Sequence, residues 1–517
     1  MRAMVRSCDG SLQTSATLLI SLLWGACLLT EGCALNKPDL SRVNHIIIVM
    51  QENHSLDNYF GVLAYAPATP YHNGNGLCSQ ADNRCFDGLT CSITRGHFQC
   101  TNSNLDGHGD AVKAFKASTR CVAPDLDHSW VGSHREINFE SPNQALDQAL
   151  NDGFVQQNER RHQGTGPGQR SQDKTMSFYD WDDLPFYYEL AEKFAISDRQ
   201  FSSVLGPTLP NRSYLMAATS FGLTANEFTP IRSYKPITGT IFDLLNARQV
   251  SWADYFEDGA QDSIFQLLDS AHNLPLAMFF NQAGGIGTLP QVAWIDPAFS
   301  TRSKVFEDDE HPPSDIQRGQ SHVSEIVNAV RNGPHWEDSI IFITYDEHGG
   351  FYDHVHPPTA RQGGDRTPDG IFPGQCEESA ALMVSKTPAR VTESCSDIAI
   401  QSQAAAEALC PALANNPSAS FPPGCAAFDQ LGVRVPLIAV SPFSKSSYVS
   451  HVVGDHASLL ALIEKRFLSG LGNSHLTQRD AYANDLEDLF DFKDSPSLKT
   501  HIGTAHWPQN DCTPEGQ

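Results

Sequence analysis

The 517-residue sequence is short of positive charge. Lysine and arginine number 35 against 60 aspartate and glutamate, giving a formal net charge of −25. A nucleic-acid partner needs a basic face for its phosphates, so that class is excluded. Any substrate phosphate must be met by a local device such as a metal ion. Long apolar runs are scarce too: Ala16 to Thr30 is too short and too poorly flanked for a membrane span. A mean hydropathy of −0.32 describes a globular chain. The cysteines show no repeated Cys-x-x-Cys spacing, which argues against structural zinc. No internal repeat is visible.

What the N-terminus does hold reads as an export signal. Arg2 and Arg6 precede the apolar stretch, and cleavage is expected near Gly32, Cys33 or Ala34, so residues 1–33 are set apart. Thr-Glu-Gly-Cys33 loosely matches a lipoprotein box, although Glu31 suits it poorly; a retained anchor is the alternative. With Cys8, Cys27 and Cys33 assigned to the signal, ten of the 13 cysteines remain. An even number in an exported chain suggests disulfides, with pairs expected within 78–121 and within 376–425. Periplasm, cell surface and medium are all compatible destinations.

Two strands organise the chain. His45-Ile-Ile-Ile-Val-Met-Gln51 is apolar and β-branched, the composition of a strand buried on both faces, and it stops at Glu52 and Asn53. Ser339-Ile-Ile-Phe-Ile-Thr-Tyr345 repeats the design and stops at Asp346 and Glu347. Buried strands that deliver polar groups at their C-terminal ends are how open α/β sheets build sites. Further strands are expected at Gln291–Asp296 and Val435–Val440, and helices at 184–201, near 320–331 and from Ser458 to Phe467 with Asp455 as N-cap. Alternating strands and helices predict an α/β fold, a doubly wound, mostly parallel sheet. The expected layout is one catalytic domain over 40–490, with Cys-rich insertions at 62–127 and 359–427 and a polar tail, 491–517, that wraps the surface.

Glu52, Asn53, Asp346 and Glu347 offer only oxygen. That donor set suits one hard divalent ion, Ca²⁺, Mg²⁺ or Mn²⁺, rather than zinc. Gly206, Pro207 and Pro210 pin a turn around Thr208, whose hydroxyl is then placed to meet an anion. The plain alternative is a threonine that caps the following helix. His128 and His311 are candidates to stabilise phosphoryl oxygens or protonate a leaving group, with His348 and His354 weaker.

Six blocks, in order, resemble the bacterial phospholipase C/acid phosphatase family of phosphoesterases. They are Gln51-Glu-Asn-His-Ser-Leu-Asp-Asn-Tyr-Phe-Gly61, Asp125-Leu-Asp-His128, Gly206-Pro-Thr-Leu-Pro-Asn-Arg212, Glu310-His-Pro-Pro313, Thr344 to His354, and Asp455-His456. The resemblance implies an alkaline-phosphatase-like fold with a single metal held by Glu52, Asn53, Thr208, Asp346 and Glu347. It implies Thr208 as nucleophile, with His128 and His311 serving the phosphate and the leaving group. It further implies substrate contacts at Asn211, Arg212, His354, Asp455 and His456. Threonine in the nucleophile position resembles the phospholipase C branch, the phosphatase branch tending to carry serine. His54 and Leu56 depart from the pattern, where Arg and Phe are commoner. The expected partner is a phospholipid or other phosphate ester, with transient contact to a membrane surface; oligomeric state is not legible. The expected activity is phospholipase C-type release of diacylglycerol. The alternatives are an acid phosphatase acting on monoesters and, from another class, a secreted binding protein on the same scaffold. No Cys/Ser-x-Pro-x-Arg block of the sulfatase kind is present.

Overall fold

A computed structural model describes residues 39–510 and Cys512, apart from 75–77, 123–124, 139–149, 162–171, 221–225, 227–237, 266–270, 300–306, 361–427, 429 and 471–473. The expected signal, most of the second insertion and Cys376, Cys395, Cys410 and Cys425 lie outside the described residues.

An eight-stranded sheet forms the centre. In chain order its strands are β1 (His45–Gln51), β2 (Ala195–Ser197), β3 (Trp252–Phe256), β4 (Asn273–Pro275), β5 (Val292–Asp296), β6 (Ser339–Tyr345), β7 (Leu437–Val440) and β8 (Tyr448–Ser450). Their spatial order is β4-β3-β5-β1-β6-β7-β2-β8. All neighbours are parallel except β7, which runs antiparallel to both β6 and β2. The sheet is thus mostly parallel, as the strand–helix alternation predicts, with one reversed strand that the sequence does not reveal.

β1 and β6 sit mid-sheet, and every residue of both is buried. Alternation divides β1 between two cores. Ile47 and Val49 join a cluster with helices Pro185–Lys193 and Ile316–Asn332, while Ile46, Ile48 and Met50 join one with Thr208–Ala217 and His456–Ile463. Each such side chain contributes about 1.5–3 kcal/mol relative to exposure, which fixes the register strongly.

Two local expectations need correction. The helical period over 184–201 ends at Lys193, and 195–197 form β2 instead, because Ala195 and Ile196 lie between β7 and β8. The tail does more than wrap the surface: Ile502 enters the core beside helix Ile316–Asn332, and Cys512 is joined to Cys121. Within the first insertion the expected local pairs form, Cys78–Cys85 and Cys91–Cys100, but Cys121 pairs 391 residues away. Short two-stranded pieces and a small cluster of Val62, Leu89, Ala114, Val155, Met176 and Phe178 complete that region. Among the described residues no helix is long and apolar enough to cross a membrane.

Candidate active site

The site begins with register. β1 and β6 are parallel, with Gln51 opposite Tyr345, so Glu52-Asn53 and Asp346-Glu347 leave the sheet side by side. Asn53 turns at φ 63°, and its backbone N–H donates to Asp346 Oδ1 at 3.1 Å. Gly349, at φ 63°, lies so close to Asn53 that a Cβ would meet its carbonyl oxygen at 2.2 Å. Asp296, at the end of β5, lies at the same edge.

Close contacts bring the other blocks in. A Cβ on Gly350 would stand 2.6 Å from Leu126 Cβ, so the glycine lets the Asp125–His128 segment lie against the end of β6. A Cβ on Gly206 would come within 2.9 Å of the Trp130 ring, which brings that segment to the turn before Thr208. Asn211 fixes the turn. Its Oδ1 accepts from Val204 N–H at 3.0 Å, and its amide donates to the Gly206 carbonyl at 2.8 Å. Thr208 then opens the helix Thr208–Ala217, wholly buried in its remaining turns. Arg212 lies four residues on and therefore on the same face. Its guanidinium stands 3.2 Å from Glu52 and 3.5 Å from Asp346 and donates to the Met50 carbonyl at 3.1 Å.

His311 arrives on a third strut. The Asp309 carbonyl accepts from Glu52 N–H at 2.8 Å, and the buried Glu310 carboxylate accepts from the hydroxyls of Tyr59, Tyr187 and Tyr345 at 2.5–2.6 Å. Burial carries the Glu310 pKa up to about 7, against the pull of those hydroxyls. The His311 and His128 rings meet edge to face at 5.8 Å. His128 Nδ1 donates to the Leu126 carbonyl at 3.0 Å, and its Nε2 stands 4.0 Å from Glu347 Oε1.

The electrostatics are unbalanced. Glu52, Asp346 and Asp296 face a single guanidinium, that of Arg212, while Glu347 is met by His128 and His348. Burial and nearby Glu52 push the Asp346 carboxyl well above the usual range. Burial works the same way on Glu347, yet His128 and His348 hold it below its ordinary value. Asp346 Oδ2, Glu347 Oε1 and both amide atoms of Asn53 are buried without hydrogen-bond partners. Buried polar atoms normally find partners, so these orphaned oxygens and their excess charge fit a hard divalent cation.

The residues expected at the substrate are largely drawn into other bonds. The Asn211 amide is consumed by the turn, and Arg212 is buried among carboxylates. His456 Nε2 donates to the Asp346 carbonyl at 2.7 Å, and burial lowers its pKa to about 4. Asp455 accepts from Arg479 at 2.7 Å and from Ser203 at 3.0 Å. His354 contacts Asp57 at 2.7 Å and Asp87 at 3.2 Å. Asn211, Arg212, Asp455 and His354 are thus engaged by the protein itself, whereas His456 Nδ1 is buried without a hydrogen-bond partner. Glu136 was not legible as part of the site. It meets His348 at 2.8 Å and, with Glu347, carries the histidine's pKa up to about 10 although burial opposes the charge. No sequence spacing links position 136 to 348.

The model of the phosphoesterase family matches residues 43–468. Non-specific phospholipase C6 of Arabidopsis thaliana is 31% identical over 506 residues, covering 94% of this chain and 78% of the relative. Phospholipase C B of Mycobacterium tuberculosis is 27% identical over 500 residues, covering 89% and 79%. Among solved structures, a protein in the alkaline phosphatase superfamily from Vibrio parahaemolyticus aligns with a TM-score of 0.30 at 9% identity, covering 58% of this chain and 64% of that one.

Proposed function

The chain belongs to the phosphoesterase family and is a phosphoric ester hydrolase, and from that premise we propose that it is an exported phospholipase C with Thr208 as nucleophile. The observation that carries the reading is the set of orphaned oxygen donors at the ends of β1 and β6, on the face that Thr208 shares with Arg212. Glu52, Asn53, Asp346 and Glu347, with Thr208, would hold one divalent ion. When bound, such an ion supplies positive charge to the phosphoryl oxygens and favours the alkoxide form of a nearby hydroxyl.

The chain's own groups do the rest. Thr208 Oγ gives up its proton to water and forms a bond to phosphorus as the bond to the diacylglycerol oxygen breaks, and one protonated imidazole of the pair His128 and His311 hands that oxygen a proton. Water then cleaves the phosphothreonine and frees the phosphorylated head group. Arg212 keeps Glu52 and Asp346 apart without touching substrate, and Glu136-His348 orients Glu347.

Two features support the finer points. Val452, Val453 and Tyr482, each 40–48% exposed, line a cavity of about 460 Å³ with Leu431 and Pro358. Asp455, Arg479 and Asn484 form part of its wall, and Asp455 accepts from Ser203, in the loop that leads to Thr208, so a cavity of mixed polarity connects to the element that presents the nucleophile. The three disulfides among the described residues suit an oxidising compartment and hence export.

Side-by-side hydrolysis of phosphatidylcholine and p-nitrophenyl phosphate, by wild type and Thr208→Ala, tests the proposal. Diacylglycerol release that falls by at least about a thousandfold in the variant, with its circular dichroism unchanged, is the expected result. Preferential turnover of the monoester would make the protein a phosphatase. Appreciable turnover by folded Thr208→Ala would remove the nucleophile assignment.

A further inference from the structure

A second cluster, apart from the catalytic residues, carries features of a ligand site. Helix His456–Ile463 passes into a π-turn over Glu464–Leu468, an irregularity often found where a side chain is aimed for a purpose. The first residue of the turn, Glu464, is 1% exposed. Its Oε2 meets His475 Nδ1 at 2.6 Å, while its Oε1 is buried without a hydrogen-bond partner. Asp480 stands on the other side. Its Oδ2 accepts from Leu476 N–H at 2.7 Å and its Oδ1 from Thr477 N–H at 2.8 Å, which fixes the carboxylate rigidly. One ligand atom from each of Glu464, His475 and Asp480 lies within 4.8 Å of the others.

Two buried carboxylates this close repel one another, and the ion pairs of the described residues bring no lysine or arginine to either. Such a pair is relieved by a proton held between the carboxyls, by a protonated His475 at 2.6 Å, or by a metal cation, and the histidine is a ligand only in the last case. An imidazole nitrogen directed at a carboxylate pair completes a three-ligand set, and the 43% exposure of the His475 side chain leaves a way in for the ion. One nitrogen with two oxygens suits a borderline ion better than the all-oxygen set at the ends of β1 and β6.

We propose that Glu464, His475 and Asp480 form a second metal site, of zinc type, that clamps the segment after the π-turn onto helix His456–Ile463. Binding replaces the proton now between His475 Nδ1 and Glu464 Oε2 and releases it to solvent. The clamp has something to hold. Thr477 Oγ1 donates to the Ala218 carbonyl at 3.0 Å, at the C-terminal end of the Thr208 helix. Arg479 donates to the Ser203 carbonyl at 2.9 Å, before that helix begins. The segment 475–480 thus grips both ends of the element that presents Thr208, and the site is structural rather than catalytic.

The test uses the whole mature protein and Zn²⁺ itself. Asp346→Asn silences the first site, and His475→Ala is introduced in that background; because the His475 side chain is 43% exposed and lies outside the core clusters, the substitution leaves the fold intact. Stripped Asp346→Asn should bind one equivalent of zinc by elemental analysis, and its Tm should rise on adding zinc. The double variant should bind at least about tenfold more weakly, the loss expected even for an outer partner of a metal, with no rise in Tm. Glu464→Gln should behave likewise. Equal zinc uptake by the single and double variants would overturn the site, leaving a shared proton between Glu464 and Asp480. The outcome is independent of the catalytic reading, since both proteins compared lack Asp346.

Discussion

Two buried acidic clusters lie near one another, each with an arginine at its centre, and they differ in one respect. Around Arg434 everything is matched. Its Nε donates to Asp353 at 2.8 Å, Nη1 to the carbonyls of Asp87 and Asp198 at 2.9 and 3.0 Å, and Nη2 to Asp57 at 3.1 Å. Asp57, Asp87, Asp198 and Asp353 are answered by Arg434, Arg199, His354 and His451, whose two histidines are held above their ordinary pKa by these carboxylates against the cost of burial. Around Arg212 the carboxylates outnumber the cations, and oxygen atoms of Asn53, Asp346 and Glu347 are left over. A satisfied buried network is scaffold; an unsatisfied one is held in its awkward state by the surrounding fold and is where a ligand belongs.

Paired substitutions would break this contrast most sharply. Asp346→Asn should lower turnover by at least about a thousandfold while leaving the urea midpoint unchanged or higher, because it removes uncompensated charge. Asp353→Asn should do the reverse, costing about 1–3 kcal/mol by weakening one of the two carboxylate contacts of Arg434, with turnover per folded molecule retained. The opposite pattern would erase the distinction. Next in size is the response to metal. After chelation, Ca²⁺ or Mn²⁺ at about 100 times its Kd should stabilise the wild type by about 2.7 kcal/mol, and Asp353→Asn equally, but not Asp346→Asn; calorimetry decides.

The smallest effect concerns pH. The folded pKa of His354 is raised to about 10, with burial opposing and Asp57 and Asp87 prevailing. A raised pKa contributes stability that is fully present below the unfolded value, about 6.5, and is lost as pH climbs towards 10. Over that window wild type should lose about 1–3 kcal/mol, less than an isolated shift would give because the carboxylates are shared. His354→Gln should show a flatter profile. A wild-type curve as flat as the variant's would mean that the cluster around Arg434 is not charge-matched.

The same contrast explains what could be read from the sequence. β1 and β6 were legible because burial on both faces demands unbroken β-branched runs, and the polar pairs after them stand out against such runs. His354 was not legible as scaffold. It belongs to the same short block as Asp346 and Glu347, and only the fold shows that the chain between them turns towards Arg434. Arg212 follows Thr208 in a block that invites a substrate role, yet helix geometry sends it inward. The reversed direction of β7 leaves no mark in an apolar strand, since parallel and antiparallel neighbours bury the same side chains. The partner of Cys121 was hidden for a similar reason: spacing favours near cysteines, whereas folding delivers Cys512.

That last bond makes most of the molecule a closed ring. The loop from Cys121 to Cys512 contains His128, Thr208, His311, Asp346 and Glu347, and leaves Glu52 and Asn53 on the short arm outside it. A single protease cut anywhere within the ring therefore opens the circle without releasing a fragment. A nicked molecule would keep its two arms covalently joined, migrate as one band until reductant is added, and retain the chance to close its site again.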